Sequence, residues 1–354
     1  KLQIACATAV AAGQVVHTQS PQAKLGRQGV LEFLLINHPL DCPICDQAGE
    51  CELQDYVFQE GRASTRYQEY AKRFNPVEDF GGDVLYVPNR CILCTRCVRF
   101  MENVAHDPVL NVSERGDRAF IGMHPEGRLD HAWAGNVVDL CPVGSLLSKD
   151  FLHKARVWDL DKTASVCTGC SQGCSVTLET RDNTVLRVRP RPNPEVNRYF
   201  ICDVGRLNYK WMNRGDRLEA PLVRTGGELV AVDWDHALAR AAQLFRGIPE
   251  GAAALVLANP RASTEALFLA LRLIDGLKWR GTFRVETGAE APLPGVPNLA
   301  LRAERAPNAK AADLLGYRRV DGDGAANPGD AAVAVVLDDD LAGLPRFKAA
   351  GPLI

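Results

Sequence analysis

Cys91-Ile92-Leu93-Cys94-Thr95-Arg96-Cys97 sets three thiols two residues apart, and Cys141-Pro142 supplies a fourth downstream. Three thiolates at this spacing can each take one iron of a cuboidal 4Fe–4S cluster, leaving the last iron to a distant cysteine. Zinc is the alternative, but a third cysteine at the same interval is unusual for a zinc site. The stretch predicts a cluster held by Cys91, Cys94, Cys97 and Cys141.

In two-cluster ferredoxins the run continues C-x3-C-P, and that fourth cysteine serves the second cluster. Here the equivalent position is Met101, and the mirror triplet before Cys141 would fall on His131, Ala134 and Val137. The pattern reads as a two-cluster fold that kept one cluster. Downstream, Cys167-x2-Cys170-x3-Cys174 with Cys202 forms a second four-thiol set, with a zinc ribbon as the bland alternative. Gly169 and Gly173 permit the tight backbone that such a loop needs.

Upstream, His38-Pro-Leu-Asp-Cys42-Pro-Ile-Cys45-Asp-Gln-Ala-Gly-Glu-Cys51 offers only three thiols. A histidine at a helix end ordinarily caps it or faces solvent. The missing fourth cysteine, four residues from Cys42, makes His38 the expected fourth ligand. An imidazole in place of a thiolate leaves a site less anionic, which by itself raises the potential, as in Rieske centres. Of twelve cysteines only Cys6 is then unassigned. It reads either as a buried structural cysteine or as the last ligand of a 2Fe–2S centre whose other three lie upstream; the residues alone leave that choice open.

The 354 residues are 46% hydrophobic and 24% charged, which excludes wholesale disorder. Lys plus Arg number 41 against 43 Asp plus Glu, a net charge of −2 that offers no footprint for nucleic acid or an anionic membrane. The richest apolar runs, Val30 to Ile36 and Ala252 to Ala258, are too short to span a bilayer. No secretory leader opens the chain, so the close thiol spacings point to metal rather than disulfides and to a cytosolic protein cut at both ends. No G-x-G-x-x-G follows a strand and no G-x4-G-K-[ST] occurs, so no dinucleotide or nucleoside triphosphate site is written here. His17, His106, His124, His131, His153 and His236 are scattered and read as surface or core residues. The basic run Arg187 to Arg191 reads as a solvated hairpin edge, and Asp338 to Asp340 as a solvated loop.

Apolar spacing predicts a helix from Leu25 to Asn37, ended by Pro39. Gly61 to Gly82 reads as a connector and Arg156 to Leu160 as a short strand. Val176–Leu178 and Val185–Val188 flank an Asp-Asn turn. A second hairpin spans Pro221 to Val232 around Gly226-Gly227, and Asp233 or Asp235 caps a helix through Leu244. Strand Ala254–Ala258, a Ser263-capped helix from Thr264 to Leu277 and strand Gly281–Glu286 form the unit of a parallel α/β sheet. Ala331–Leu337 is a further strand, and Gly288 to Gly329 reads as loop.

Together, the His38-x3-Cys42-x2-Cys45-x5-Cys51 pattern, the Cys91 triplet with Cys141-Pro142-Val143-Gly144 and the Cys167–Cys202 set resemble the G-subunit family of NADH-quinone oxidoreductase. These are the large iron–sulfur subunits of bacterial respiratory complex I. The resemblance covers nearly all of residues 1 to 250. It implies α+β iron–sulfur modules of ferredoxin-like type followed by an α/β molybdopterin-oxidoreductase-like domain, truncated or shortened. The divisions are 1–20 (end of a 2Fe–2S domain), 21–60 (the histidine-bearing module), 61–155 (ferredoxin-like), 156–218 (a molybdopterin-oxidoreductase-type 4Fe–4S domain) and 219–354 (α/β).

The resemblance also implies three 4Fe–4S clusters on the ligand sets above, and it matches Cys6 to the fourth ligand of a 2Fe–2S centre in the full-length protein. Molybdenum is not expected. The resemblance implies that, as a subunit of a proton-translocating NADH dehydrogenase, the chain would pass electrons from the flavin- and NADH-binding subunit through other hydrophilic subunits toward quinone. No complete NADH or quinone site is expected on it. The expected place is the cytoplasm, peripheral on the inner face of the bacterial cell membrane through the complex, without a membrane span or nucleic acid. The rivals are an NAD-dependent formate dehydrogenase catalytic subunit, a hydrogenase diaphorase subunit and a structural zinc protein. The first is disfavoured by Met101 and by the lack of thiols after Cys202.

Overall fold

The computed structural model describes residues 1–68, 72–248, 254–276, 279, 281–320 and 333–337. Residues 1–20 are irregular and almost entirely exposed. Ser20 then caps helix α1 (Pro21–Asn37), accepting from the Ala23 N–H, and Pro21 sits where a missing N–H costs nothing. Pro39 stops the helix by holding His38 in an extended conformation. Helix α2 (Glu52–Glu60) packs on α1, and Leu31, Leu53 and Val143 close the small core between them.

The expected connector before Gly82 ends in a strand instead. β1 (Glu78–Gly81) pairs antiparallel with β2 (Val84–Tyr86). The polar composition of Glu78-Asp79 hides this strand, but Phe80 is fully buried and stacks on Tyr86 across the hairpin, ring centroids 4.5 Å apart. Gly81 and Gly82, at φ +98° and +48°, make the turn, which L side chains would strain. Helix α3 (Arg96–Asn103), the hairpin β3 (Leu110–Ser113) and β4 (Phe120–Met123) and helix α4 (Asn136–Leu140) follow. β5 (Leu146–Ser148) returns to β2, giving the order β1-β2-β5.

Arg156 to Leu160 is not a strand: it forms a 3-10 turn over Val157–Asp159. Arg156 donates to the carbonyls of Cys45 and Pro43, and this anchoring turns the chain before β6 (Asp161–Val166) begins. β6 is polar and largely exposed, so it carries no apolar alternation. With β7 (Ser175–Arg181) and β8 (Thr184–Pro190) it makes an antiparallel sheet. Asp182 and Asn183 both take positive φ at the expected turn, matching the twist of a tight hairpin.

Helix α5 (Asp203–Leu207) leads to the hairpin β9 (Leu222–Thr225) and β10 (Glu228–Ala231). Asp233, not Asp235, caps α6 (Trp234–Arg246), accepting from the His236 N–H at 2.7 Å. The α/β part contains β11 (Ala254–Ala258), α7 (Thr264–Gly276) and β12 (Gly281–Phe283). Ser263 accepts from Ala266 N–H as the α7 cap.

The stretch after Gly288 is structured, contrary to its loop-like composition. It holds the two-residue strands β13 (Ala291–Pro292) and β14 (Ala300–Leu301), helix α8 (Ala309–Leu315) and β15 (Arg318–Arg319). Ala309 and Ala312 are the reason α8 escapes notice: small side chains let it pack close beside α7, where a larger apolar stripe would have been visible. β16 (Val333–Leu337) completes a parallel sheet of order β15-β12-β11-β16. Residues 321–332, and with them the end of the expected loop, lie outside the described residues, as do Asp338 to Asp340. Among the described residues no helix is long and apolar enough to cross a membrane. The main core runs from Phe80 through Met101, Trp133, Val176 and Ile201 to Leu301, and it includes Cys97, Cys170, Cys174 and Cys202.

Candidate metal centres

Cys91 follows a 3-10 turn at Pro88–Arg90, and Cys97 lies in the first turn of α3. Between them Leu93 and Thr95 adopt left-handed φ of +53° and +57°. Non-glycine residues hold this conformation only when their surroundings impose it, and such strain clusters at functional sites. The curl it produces brings Cys91, Cys94 and Cys97 to one cavity, where Cys141 at the end of α4 joins them. Tyr86, Ile121, Val143 and Leu146 form much of the wall. Burial pushes the Cys97 thiol up to about 12 and Cys141 up to about 11, and it also raises Cys91. The Leu93 N–H donates to Cys91 Sγ at 3.4 Å.

Cys167, Cys170 and Cys174 occupy the β6–β7 connection, closed by the Cys167 N–H bonding the Cys174 carbonyl at 2.8 Å. Gly173 takes φ +63° in that loop. Cys202 caps α5, its Sγ accepting from the Gly205 N–H at 3.4 Å. A Cβ on Gly205 would stand 2.9 Å from Cys167 Sγ, so only glycine lets the helix start this close to the thiols. These four cysteines also line a single cavity, with Ile201, Val204, Ala300 and Leu301 around them. Burial raises Cys167 and Cys174 and takes Cys202 up to about 12.

The third set is assembled less completely. Cys42 opens a 3-10 turn and is exposed, Cys45 is buried and Cys51 half-buried at the start of α2. Cys51 senses both other thiols, and burial raises Cys45 and Cys51. A Cβ on Gly144 would fall 2.1 Å from Cys45 Sγ, so Gly144 is the cradle against which that thiol rests. His38 lies beside Asp41, Arg90 and Lys72; burial first, then the two cations, lower its pKa and keep the imidazole neutral. Its Nδ1 is buried with no hydrogen-bond partner. A neutral imidazole with an uncommitted nitrogen suits a metal ligand.

Cys6 is exposed in the irregular N-terminal segment, so the buried structural reading of it does not hold. Among the described residues no three of His, Cys, Asp and Glu stand close enough to share one metal ion. Each of the two quartets lines one cavity.

Sequence reasoning missed the charge network between these loops. Arg187 and Arg189 are not a solvated edge but turn inward from β8, with side chains 15% and 27% exposed. Both bind Glu50, at 2.8 and 2.7 Å, and Arg187 also binds Glu179. Arg189 reaches Asp139 at 3.3 Å, and Arg206 holds Asp139 at 2.5 Å and Asp203 at 3.8 Å. Glu50 precedes Cys51, Asp139 lies two residues before Cys141, and Asp203 follows Cys202. One ion-pair chain thus ties the three cysteine loops together. The two-residue period of β8, which puts Arg187 and Arg189 on one face, was the available signal.

Three family models match the chain. Residues 27–66 match the NADH-ubiquinone oxidoreductase-G iron–sulfur binding region, 81–147 the NADH-quinone oxidoreductase subunit 3 ferredoxin-like domain, and 160–214 the molybdopterin oxidoreductase Fe4S4 domain. The chain is 40% identical over 273 residues to the NADH-quinone oxidoreductase G subunit of Rickettsia felis, covering 77% of this chain and 40% of that protein. It is 39% identical over 294 residues to NADH-quinone oxidoreductase subunit 3 of Thermus thermophilus, covering 78% and 37%. The mitochondrial NADH-ubiquinone oxidoreductase 78 kDa subunit of Neurospora crassa is 42% identical over 264 residues, 74% and 35% of the two chains. The sequence therefore spans about two fifths of the length of these relatives. A crystal structure of an NAD+-reducing [NiFe]-hydrogenase in the H2-reduced state is similar at a TM-score of 0.39 and 28% identity, over 44% of this chain and 67% of that one.

Proposed function

Since the chain belongs to the G-subunit family of NADH-quinone oxidoreductase, we propose that it is the electron-carrying iron–sulfur region of such a subunit. In this reading it takes electrons from a flavin- and NADH-binding partner and passes them toward quinone, inside a complex on the inner face of a bacterial membrane. Three 4Fe–4S clusters are assigned: to His38, Cys42, Cys45 and Cys51; to Cys91, Cys94, Cys97 and Cys141; and to Cys167, Cys170, Cys174 and Cys202. Cys6 is assigned to a 2Fe–2S centre that also needs three cysteines outside this sequence. When bound, such clusters supply reversible one-electron transfer.

The single observation that carries the reading is that two separate cavities are each lined by four cysteines. The protein's own contribution follows from their burial. Thiols held at about 11 to 12 are protonated at neutral pH, so each must give up its proton as iron arrives, and assembly is coupled to proton release. The Leu93 and Gly205 amides, each donating to a cysteine sulfur, stabilise the negative charge left behind. Apolar residues make up much of the two walls, with Cys97, Cys170, Cys174 and Cys202 buried among them. The charge network of Glu50, Arg187, Arg189, Asp139 and Arg206 holds the loops at fixed separations, as electron tunnelling between centres requires.

The test is iron, acid-labile sulfide and zinc per chain in protein purified without oxygen. About twelve irons and about twelve sulfides are expected. Two or three zincs with no sulfide would overturn the reading.

A further inference from the structure

We propose that the Tyr86 hydroxyl donates a hydrogen bond to the Cys91 sulfur and so sets the reduction potential of the cluster on Cys91, Cys94, Cys97 and Cys141. The inference rests on the ligand assignment above and goes beyond it. Tyr86 ends β2 and is 1% exposed. Its ring is fixed by the stack on Phe80 and by the register of β2 between β1 and β5, where it faces Glu78 and Leu146. The ring wall is apolar, and a phenylalanine would fill it equally well.

Tyr86 nonetheless lines the cysteine-lined cavity, and its buried hydroxyl completes no well-formed hydrogen bond, with the Ile121 backbone and the Cys91 sulfur beside it. A buried hydroxyl without a partner is costly, and native structures rarely keep one without a use for it. Cys91 and Cys97 are the side chains it senses there. The neighbouring Ser145 hydroxyl donates to the Val87 carbonyl at 3.1 Å and also lies beside the Cys91 sulfur, and the Leu93 backbone N–H donates to Cys91 Sγ. Tyr86 thus brings a further, phenolic donor to a sulfur that becomes more negative when the cluster is reduced. A donor aimed at such a sulfur favours the reduced form and raises the potential.

The experiment is a redox titration of the full-length subunit in its assembled complex, followed by the electron paramagnetic resonance signal of this cluster, in wild type and Tyr86→Phe. The signal is expected in both. In the variant its midpoint moves to lower potential, so that at the wild-type midpoint the ratio of reduced to oxidised cluster falls roughly three- to tenfold, the size of one net hydrogen bond. An unchanged midpoint with the signal intact overturns the proposal. No signal in the wild type overturns instead the ligand assignment beneath it. If only the variant loses the signal, wild-type protein carrying 17O in its tyrosine hydroxyls decides: a hyperfine coupling from that oxygen to the reduced cluster supports the proposal, and its absence refutes it.

Discussion

Replacing Arg206 with methionine removes a cation that binds both Asp139 and Asp203, at 2.5 and 3.8 Å. Arg206 is only 7% exposed, and breaking a buried pair from one side costs about 3–5 kcal/mol because a charge is left behind. Two features soften that cost. Asp139 keeps Arg189 at 3.3 Å, and Asp203 keeps the Gly135 N–H at 2.9 Å. Burial already raises Asp203 to about 6, and without Arg206 it rises further and neutralises itself by taking a proton. The lower end of the range, about 3 kcal/mol, is therefore expected. With a urea slope of about 3 kcal/mol per molar, this is a midpoint lowered by about 1 M. Urea unfolding under anaerobic conditions, read by tryptophan fluorescence and circular dichroism, measures it. The pair Arg206→Met with Asp139→Leu removes both partners and should cost clearly less than the sum of the single changes. A single-variant shift below ~0.2 M, or strict additivity in the pair, would refute a stabilising role for the network.

Two further expectations concern the sites. Gly144→Ala forces a Cβ into Cys45 Sγ, and His38→Ala removes the proposed non-thiol ligand; each should lower iron from about twelve to about eight per chain and remove one paramagnetic signal while sparing the others. A full iron count in both would sink the third site as drawn. In metal-free protein, Cys97 and Cys202 have folded-state pKa values of about 12 and Cys141 about 11, against 9.0 for the free thiol. Because the folded values are raised, the stability they contribute is complete below pH 9 and is lost as pH climbs through 11 to 12. Thiol alkylation of the metal-free chain should accordingly reach Cys6 at pH 8 and leave those three unmodified; their labelling at that pH would contradict the burial argument.

Much of the site was legible because cysteine spacing encodes it directly: both quartets that the intervals single out converge on common cavities. Elements with their own punctuation were legible too, such as the end of α1 at Pro39 and the Asp182-Asn183 hairpin, although α1 starts at Pro21 behind the Ser20 cap, four residues before the apolar spacing that marked it at Leu25. What escaped depended on partners distant in sequence. β1 is a strand because Phe80 meets Tyr86, β6 because a neighbour supplies its hydrogen bonds, and α8 because Ala309 and Ala312 fit against another helix. The inward turn of Arg187 and Arg189 was hidden for the same reason, since their carboxylate partners lie about 50 and 140 residues away.

The second cavity has a consequence in time as well as space. Its thiols end at Cys202, but two of its wall residues, Ala300 and Leu301, come from β14, roughly one hundred residues later. At about 5–20 residues per second, a ribosome leaves that wall unbuilt for roughly 5–20 s after Cys202 has been added. Through that interval the loop can meet an iron donor from the open side. If the proposed cluster is placed on these cysteines, β14 covers part of its wall only after that interval, so the side it covers is open earlier than it is closed.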